Sequence, residues 1–216
     1  MSALNHLKDN AGIFLPVFGL LAVILAMSFV DIQDPGAFIF DEEEPSEQIY
    51  SQEPEMLLEE GLDYKAYIST DYGNFGINLF ETVAPKNVNN FIYLAQEGFY
   101  DGLPFHRIIP SFIVQAGYRG NAVQYYINDE ITDAVKFDEY IVAMANEDEP
   151  NTNSSQFFIT LAGSDVSHLD GEYTIIGEVV EGFDIVEQIG DSSVDENYLP
   201  KDEISIRRIV IKEETF

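Results

Sequence analysis

Residues 64–216 predict a mainly β fold, a closed eight-stranded antiparallel β-barrel capped by two α-helices. Two observations carry this prediction. Short runs rich in β-branched and aromatic residues alternate with clusters of turn residues, and only two stretches have the periodicity of an amphipathic helix. Many short strands with two helices, in a segment of this length, are typical of a barrel whose ends are covered by helices.

The first two predicted strands form a hairpin. Residues 64–69 and 75–80 read as β-strands on either side of the turn sequence Asp71-Tyr72-Gly73-Asn74. Gly and Asn tolerate the left-handed backbone that tight hairpin turns require. The other six predicted strands are 105–109, 112–116, 140–145, 157–161, 173–179 and 204–211.

The first predicted helix covers residues 85–97. It begins with a proline, which suits a first helical turn because no backbone donor is needed there. Its apolar residues share one face at helical spacing, and they are Val88, Phe91, Ile92 and Ala95. A second, short helix is predicted over residues 183–189, with Gly190 as its stop.

The composition excludes several classes of function. The chain has 39 acidic and 10 basic residues, and its formal net charge is −29. Binding to nucleic acid and docking on anionic lipid both need clustered Lys and Arg, so we expect neither. Because the chain has no cysteine, it has no disulfide, no thiolate zinc site and no Cys nucleophile.

We also expect no metal site and no cofactor. The chain has three histidines, and no two of them are spaced four residues apart as in a helical zinc site. The acidic runs 129–130 and 147–149 lack the alternating ligands of a calcium loop. A solvated acidic surface explains these runs better.

Residues 11–30 predict a transmembrane helix that acts as a signal anchor. They carry no charged side chain, and a helix of this length spans about 30 Å, the thickness of a bilayer's hydrocarbon core. Lys8 lies on one side and Asp31 on the other, so the positive-inside rule places residues 1–10 in the cytoplasm and the remainder outside. The alternative is secretion after cleavage, because Ala26-Met27-Ser28 is a passable signal-peptide site.

Residues 31–63 predict an extended, disordered linker. They contain 12 acidic residues, no Lys or Arg, and the prolines Pro35, Pro45 and Pro54. Such a segment repels itself and cannot bury enough apolar surface to fold. We therefore expect the folded domain to comprise residues 64–216.

Three segments of this domain resemble the sequence signatures of the cyclophilins, in the family's order. The first is 105–117 (FHRIIPSFIVQAG), the second combines 144–146 (MAN) with 150–159 (PNTNSSQFFI), and the third is 168–179 (HLDGEYTIIGEV). The similarity covers residues 64–211, and the short segment 120–127 resembles the compact prokaryotic type. Members of this family are peptidyl-prolyl cis–trans isomerases built on an eight-stranded barrel with two capping helices, so the resemblance implies this fold and activity.

The chemistry of this reaction needs no covalent intermediate. Rotation about a peptide bond crosses a barrier of about 18–20 kcal/mol because amide resonance is lost. Twisting localises a lone pair on the prolyl nitrogen, so a donor aimed at that atom stabilises the transition state more than the planar substrate. Arginine suits this task because its guanidinium stays charged and presents a rigid fork of donors.

The resemblance implies roles for particular residues of this chain. Arg107 is the predicted donor, Gln115 orients it, and Phe112 belongs to the proline pocket; we predict these three as catalytic residues. The predicted substrate-binding residues are His106, Ile113, Ala145, Asn146, Gln156, Phe158, His168, Leu169 and Tyr173. Without the resemblance, the apolar residues would be ordinary core and Arg107 an ordinary surface residue of a strand.

Several positions depart from the family's usual pattern. Ile113 stands where Met is common, and His168 stands where many members have Trp and others have His. Tyr173 stands where His is usual, although a phenol can also donate a hydrogen bond. The loop 147–149 is one residue longer and far more acidic than in the family.

These observations predict a membrane-tethered prolyl isomerase that assists folding of proline-containing polypeptide clients outside the cytoplasm. We expect its soluble domain to be a monomer. The alternative is a noncatalytic proline-peptide-binding module, or a holdase chaperone, on the same barrel. Acceleration of cis–trans exchange in a short Ala-Pro peptide distinguishes the two.

Overall fold

The computed structural model describes residues 48–215, which form eight β-strands and two α-helices. A single 3₁₀ turn, Ser167–Leu169, precedes β7. The strands and helices lie where the sequence predicts them. In chain order they are β1 (Leu62–Thr70), β2 (Asn74–Leu79), α1 (Pro85–Gln96), β3 (Arg107–Ile109), β4 (Ile113–Ala116), β5 (Ile141–Met144), β6 (Phe157–Thr160), β7 (Ile175–Glu181), α2 (Phe183–Gly190) and β8 (Ile206–Thr215).

The strands form one antiparallel sheet, but the predicted closure of the barrel is wrong. The strand order is β3-β4-β6-β5-β7-β2-β1-β8, and within the described residues no ladder joins the edge strands β3 and β8. The chain segments before these strands meet at an isolated antiparallel bridge between Pro104 and Ser205, which is flanked by backbone hydrogen bonds from Phe105 N to the Ile204 carbonyl and from Ile206 N to the Leu103 carbonyl. Pro104 occupies the non-hydrogen-bonded position of this bridge, where no N–H is required, and the pairing does not extend into a ladder between β3 and β8.

The strands β4, β6 and β5 are buried on both faces. Because side chains alternate along a strand, Val114, Phe157 and Val142 face the main hydrophobic core of the sheet. Their neighbours Ile113, Phe158 and Ala143 belong to a second, separate apolar cluster. The second cluster therefore lies on the opposite face of the sheet from the main core.

Helix α1 has the apolar face that its periodicity predicts. Val88, Phe91 and Ile92 are fully buried in the main core. The helix also buries three asparagines, which the periodicity does not predict: Asn87, Asn89 and Asn90. A buried amide is stable only when its donors and acceptor are satisfied, so these side chains must bond to other segments of the chain.

Residues 48–61, here called the N-terminal arm, lie on the domain instead of forming part of a disordered linker. Tyr50 is 5% exposed and packs edge-on between Tyr93 and Phe99, at centroid distances of 6.0 and 5.5 Å. The Asn89 side chain accepts from Leu57 N and donates to the carbonyl of Glu55. The acidic composition of this region predicted disorder because the few apolar residues that dock are outnumbered by carboxylates.

The predicted transmembrane helix at residues 11–30 and the linker residues 31–47 lie outside the described residues. Among residues 48–215, no helix has both the length and the apolar character needed to cross a bilayer.

We predict that Gly182→Ala strongly destabilises the fold. Gly182 precedes α2 with φ of 75°, and a Cβ there would lie 2.5 Å from the carbonyl oxygen of Asn74. Left-handed backbone and a backbone clash together should lower the free energy of unfolding by about 3 kcal/mol. Urea denaturation measures this loss.

Gly61→Ala is the matched control. Gly61 has φ of 85°, but nothing lies within 4 Å of the added methyl group. The free energy of unfolding of this variant should fall by about 1 kcal/mol, the cost of the left-handed backbone alone. Equal losses for the two variants would show that the contact with Asn74 and Phe75 carries no energy.

Candidate active site

A cleft of about 480 Å³ lies on the face of the sheet that carries the second apolar cluster. It brings together ten of the twelve predicted site residues and adds Asp148. The lining residues are Arg107, Phe112, Ile113, Gln115, Ala145, Asn146, Asp148, Phe158, His168, Leu169 and Tyr173. The predicted residues His106 and Gln156 do not line the cleft.

The base of the cleft is apolar. Ile113, Phe158 and Leu169 are all buried members of the second cluster. Phe112 stacks on His168 with ring centroids 5.6 Å apart, and Tyr173 meets Phe158 edge-on at 5.2 Å. Rings held by such contacts form a firm, concave apolar surface of the kind that receives a small apolar group.

A line of side-chain hydrogen bonds borders this apolar base. Arg107 on β3 pairs in register with Gln115 on β4, so their side chains extend from the same face. The Arg107 Nη1 donates to Gln115 Oε1 at 3.1 Å, and Gln115 Nε2 donates to Gln156 Oε1 at 3.0 Å. The carboxamide of Gln115 therefore fixes one guanidinium nitrogen, and among residues 48–215 no other side chain or carbonyl accepts a hydrogen bond from Arg107.

Gln156 is the last residue of this line and does not itself line the cleft. It also fixes the rim, because Ala145 N donates to the Gln156 carbonyl at 2.9 Å. Next to it, Asn146 Nδ2 donates to the carbonyl of Glu172 at 3.3 Å. The two rim residues predicted to bind substrate backbone are thus tied to Gln156, the residue before β6, and to the turn before β7.

Sequence reasoning missed the polar groups that support the loop before β6. Asn90 Nδ2 donates to the Ser154 carbonyl at 2.6 Å, and Tyr125 Oη donates to Asn90 Oδ1 at 2.7 Å. Burial raises the pKa of the Tyr125 phenol, so this group stays protonated as a donor. The sequence contained one indication of this support, namely asparagine among the apolar residues of the buried face of α1.

Asn153 is the second internal support of this loop. Its Nδ2 lies within hydrogen-bond distance of Asn87 Oδ1 and Asp129 Oδ1, at 3.1 and 3.0 Å. Asn153 is fully buried, so this part of the loop is an internal structural element of the domain.

His106 lies beside the cleft residues without lining the cleft. Consecutive residues of an extended chain point to opposite faces, which places His106 away from the apolar base that Arg107 borders. Its ring lies 5.7 Å from that of Tyr118, and its Nδ1 is buried with no hydrogen-bond partner among residues 48–215. Burial lowers the pKa of His106, and the charge of Arg107 adds to this effect, while the side chain of Gln156 opposes it.

Asp148 is a cleft residue that the sequence did not single out. It lies in the acidic loop 147–149 and has φ of 58°, which is uncommon for a residue other than glycine. In the described part of the chain, no three His, Asp or Glu side chains are grouped so that they could hold a metal ion.

Comparison with protein families gives a match over residues 65–211, to the family described as cyclophilin type peptidyl-prolyl cis-trans isomerase/CLD. A curated relative, the peptidyl-prolyl cis-trans isomerase-like 1 of Emericella nidulans, is 41% identical over 152 residues. That alignment covers 67% of this chain and 92% of the relative.

A longer relative and a solved structure give the same family. The peptidyl-prolyl cis-trans isomerase-like 2 of Rhizopus delemar is 40% identical over 67% of this chain, which spans 28% of that protein. A Cryptosporidium parvum cyclophilin type peptidyl-prolyl cis-trans isomerase, crystallised in the presence of the dipeptide Ala-Pro, has a TM-score of 0.63. It is 35% identical, and the match covers 69% of this chain and 99% of that one.

We predict that His106 titrates below the ordinary histidine value of about 6.5 and is neutral at pH 7. Because the unfolded chain then binds the proton more readily than the folded chain, His106 should reduce stability as the pH falls below about 6.5. The ring-proton NMR signal of His106 reports the midpoint, and His106→Gln identifies that signal.

Denaturation at two pH values checks the sign. Between pH 7 and pH 5, the wild-type chain should lose more stability than His106→Gln, since only the wild type carries this buried imidazole. A midpoint at or above 6.5, or identical losses, would contradict the prediction.

Proposed function

The chain belongs to the cyclophilin-type peptidyl-prolyl cis–trans isomerases, and from this premise we propose that it isomerises X-Pro bonds in the cleft bordered by Arg107. One observation carries the proposal. The hydrogen-bonded line Arg107–Gln115–Gln156 borders an apolar base that includes Phe112, Phe158 and Leu169. The cleft thus offers a fixed cationic donor beside an apolar hollow.

The proline ring is proposed to sit on the apolar base. Burying a prolyl ring there removes apolar surface from water and holds one end of the reacting bond. The carbonyl before the proline remains free to swing, because no covalent bond to the protein is formed. The presence of Ala-Pro in crystals of the Cryptosporidium relative supports a substrate of this class.

Arg107 is proposed to stabilise the twisted amide. Gln115 holds one guanidinium nitrogen, so the remaining donors can be aimed at the prolyl nitrogen with little reorganisation. An acceleration of about 10⁵ requires only about 7 kcal/mol of transition-state stabilisation. Apolar packing and a few charge-assisted hydrogen bonds supply energies of this order.

A noncatalytic proline-peptide-binding module is the alternative, and Tyr173 is the observation that favours it. Tyr173 stands where the family usually has histidine, and here it packs on Phe158 in the cleft wall. A binding module would hold proline peptides with normal affinity and leave their cis–trans exchange rate unchanged.

We predict that Arg107→Ala removes most isomerase activity and leaves the fold intact. Loss of a donor used mainly in the transition state should lower kcat/KM about 10²-fold, or about 2.7 kcal/mol, with little effect on melting. Exchange in a short Ala-Pro peptide, followed by NMR or a coupled protease assay, measures the rate.

Arg208→Ala is the matched control because Arg208 is an exposed residue of β8 outside the cleft. It should retain wild-type turnover. Full activity of folded Arg107→Ala would overturn the mechanism. A wild-type chain that binds the peptide without accelerating its exchange would establish the binding module instead.

We propose, in addition, that residues 11–30 tether the domain to a membrane, with the domain outside the cytoplasm. The uncharged run and the charges on either side of it support this topology. Such a protein would meet clients as they emerge from the membrane in unfolded form.

We predict that the full chain fractionates with membranes, resists carbonate extraction, and is degraded by protease added outside sealed cells. A helix that spans the bilayer is retained by the hydrophobic effect along its apolar length. Neither salt nor alkaline carbonate weakens this interaction enough to extract the protein. Recovery of a soluble mature chain that begins near Phe29 would show secretion after cleavage. Protection from external protease would reverse the proposed orientation.

A further inference from the structure

We propose that Tyr50 is a positioning residue for the isomerase cleft, acting through the segment 122–126 and the loop before β6. This inference rests on the proposed function, since it concerns the cleft that contains Arg107. Tyr50 belongs to the N-terminal arm and lies outside the region 65–211 that matches the family. The arm, which the sequence predicted to be part of a linker, would therefore influence the isomerase activity of the domain.

The first step is the attachment of Tyr50 to residues 122–124. Tyr50 N donates to the Ala122 carbonyl at 2.7 Å, and Gln124 N donates to the Tyr50 carbonyl at 2.8 Å. These bonds flank a parallel bridge between Tyr50 and Val123. The buried Tyr50 ring, packed between Tyr93 and Phe99, fixes the position of this backbone.

The second step is that residues 122–124 have little other backbone support. In the described part of the chain, the one further backbone hydrogen bond of this segment is Ala122 N to the Arg119 carbonyl. That bond is local and closes a turn. The arm therefore supplies the backbone hydrogen bonds of this segment other than that local turn, in addition to the packing of Ala122 and Val123 on the main core.

The third step connects the segment to the cleft. Tyr125 follows Gln124 directly, and its hydroxyl donates to Asn90 Oδ1, while Asn90 Nδ2 donates to the Ser154 carbonyl. Two residues further on, Gln156 accepts from Gln115, which orients Arg107. Asn90 is fully buried, so breaking either of its bonds leaves a polar group unsatisfied at a cost of about 1–3 kcal/mol.

The consequence is that undocking of Tyr50 should misplace Gln156 and the guanidinium that depends on it. A chain of contacts transmits an effect only when its members are energetically coupled, so a double-mutant cycle is the appropriate test. The cycle uses the full chain, at a temperature where circular dichroism shows every variant to be folded.

Tyr50→Ala should lower kcat/KM for the Ala-Pro peptide about fivefold, within the range known for residues that act through packed networks. Tyr50→Phe keeps the ring and the backbone bonds and should restore wild-type activity. Tyr125→Phe, which deletes only the hydroxyl that holds Asn90, should also lower kcat/KM. The double variant should be no worse than Tyr50→Ala alone, because both changes break the same chain of contacts.

Tyr64→Phe is the matched control. It also deletes one tyrosine hydroxyl, the acceptor for Glu59 N of the arm, but lies outside the chain of contacts to Ser154. A merely structural arm would lower the melting temperature in all these variants and leave the kcat/KM of the folded protein unchanged. That result, or additive effects of Tyr50→Ala and Tyr125→Phe, would overturn the inference.

The affinity for the Ala-Pro peptide separates this inference from the proposed function. If the wild-type chain binds the peptide without isomerising it, the proposed function fails. The Kd for the peptide still measures how well the cleft is formed. In that case a fivefold weaker Kd in Tyr50→Ala, rescued in Tyr50→Phe, supports the positioning role. An unchanged Kd overturns it.

Discussion

The alternation of side chains along β4, β6 and β5 is the constraint on which this structure depends. These strands bury both faces, so they separate the main core from the apolar cluster under the cleft. A shift of one residue in register would exchange Val114 with Ile113 and remove Gln115 from its place beside Arg107. The packing that stabilises the fold and the placement of Arg107, the proposed donor, thus both depend on the same register.

The sequence predicted the elements of secondary structure well because these depend on local patterns. Strand alternation, the proline at the start of α1 and the glycine at the end of α2 are all visible within a few residues. Closure of the barrel was not predictable in this way. It depends on whether two edges distant in the chain pair along a continuous ladder, and here they meet only around the Pro104–Ser205 bridge and the backbone hydrogen bonds that flank it.

Most of the candidate site was predictable only through the resemblance, because residues such as Phe158 and Leu169 are indistinguishable from core by periodicity. The structure adds what neither pattern nor resemblance indicated. Asn90 and Tyr125 support the loop before β6, and Tyr50 docks on residues 122–124, which directly precede Tyr125. Their contacts join segments far apart in sequence, and the acidic composition around Tyr50 gave no indication that this residue docks on the domain.

The many acidic residues of the domain belong to its surface. We therefore expect the chemistry of the cleft to depend little on them. Within residues 48–215 there are three ion pairs, all with partly exposed partners, and such pairs contribute little to stability. Asp148 is the one carboxylate among the described residues that line the cleft. Since a twisted amide needs a donor and an apolar seat, and neither depends on net charge, the role proposed for Arg107 is compatible with an acidic surface.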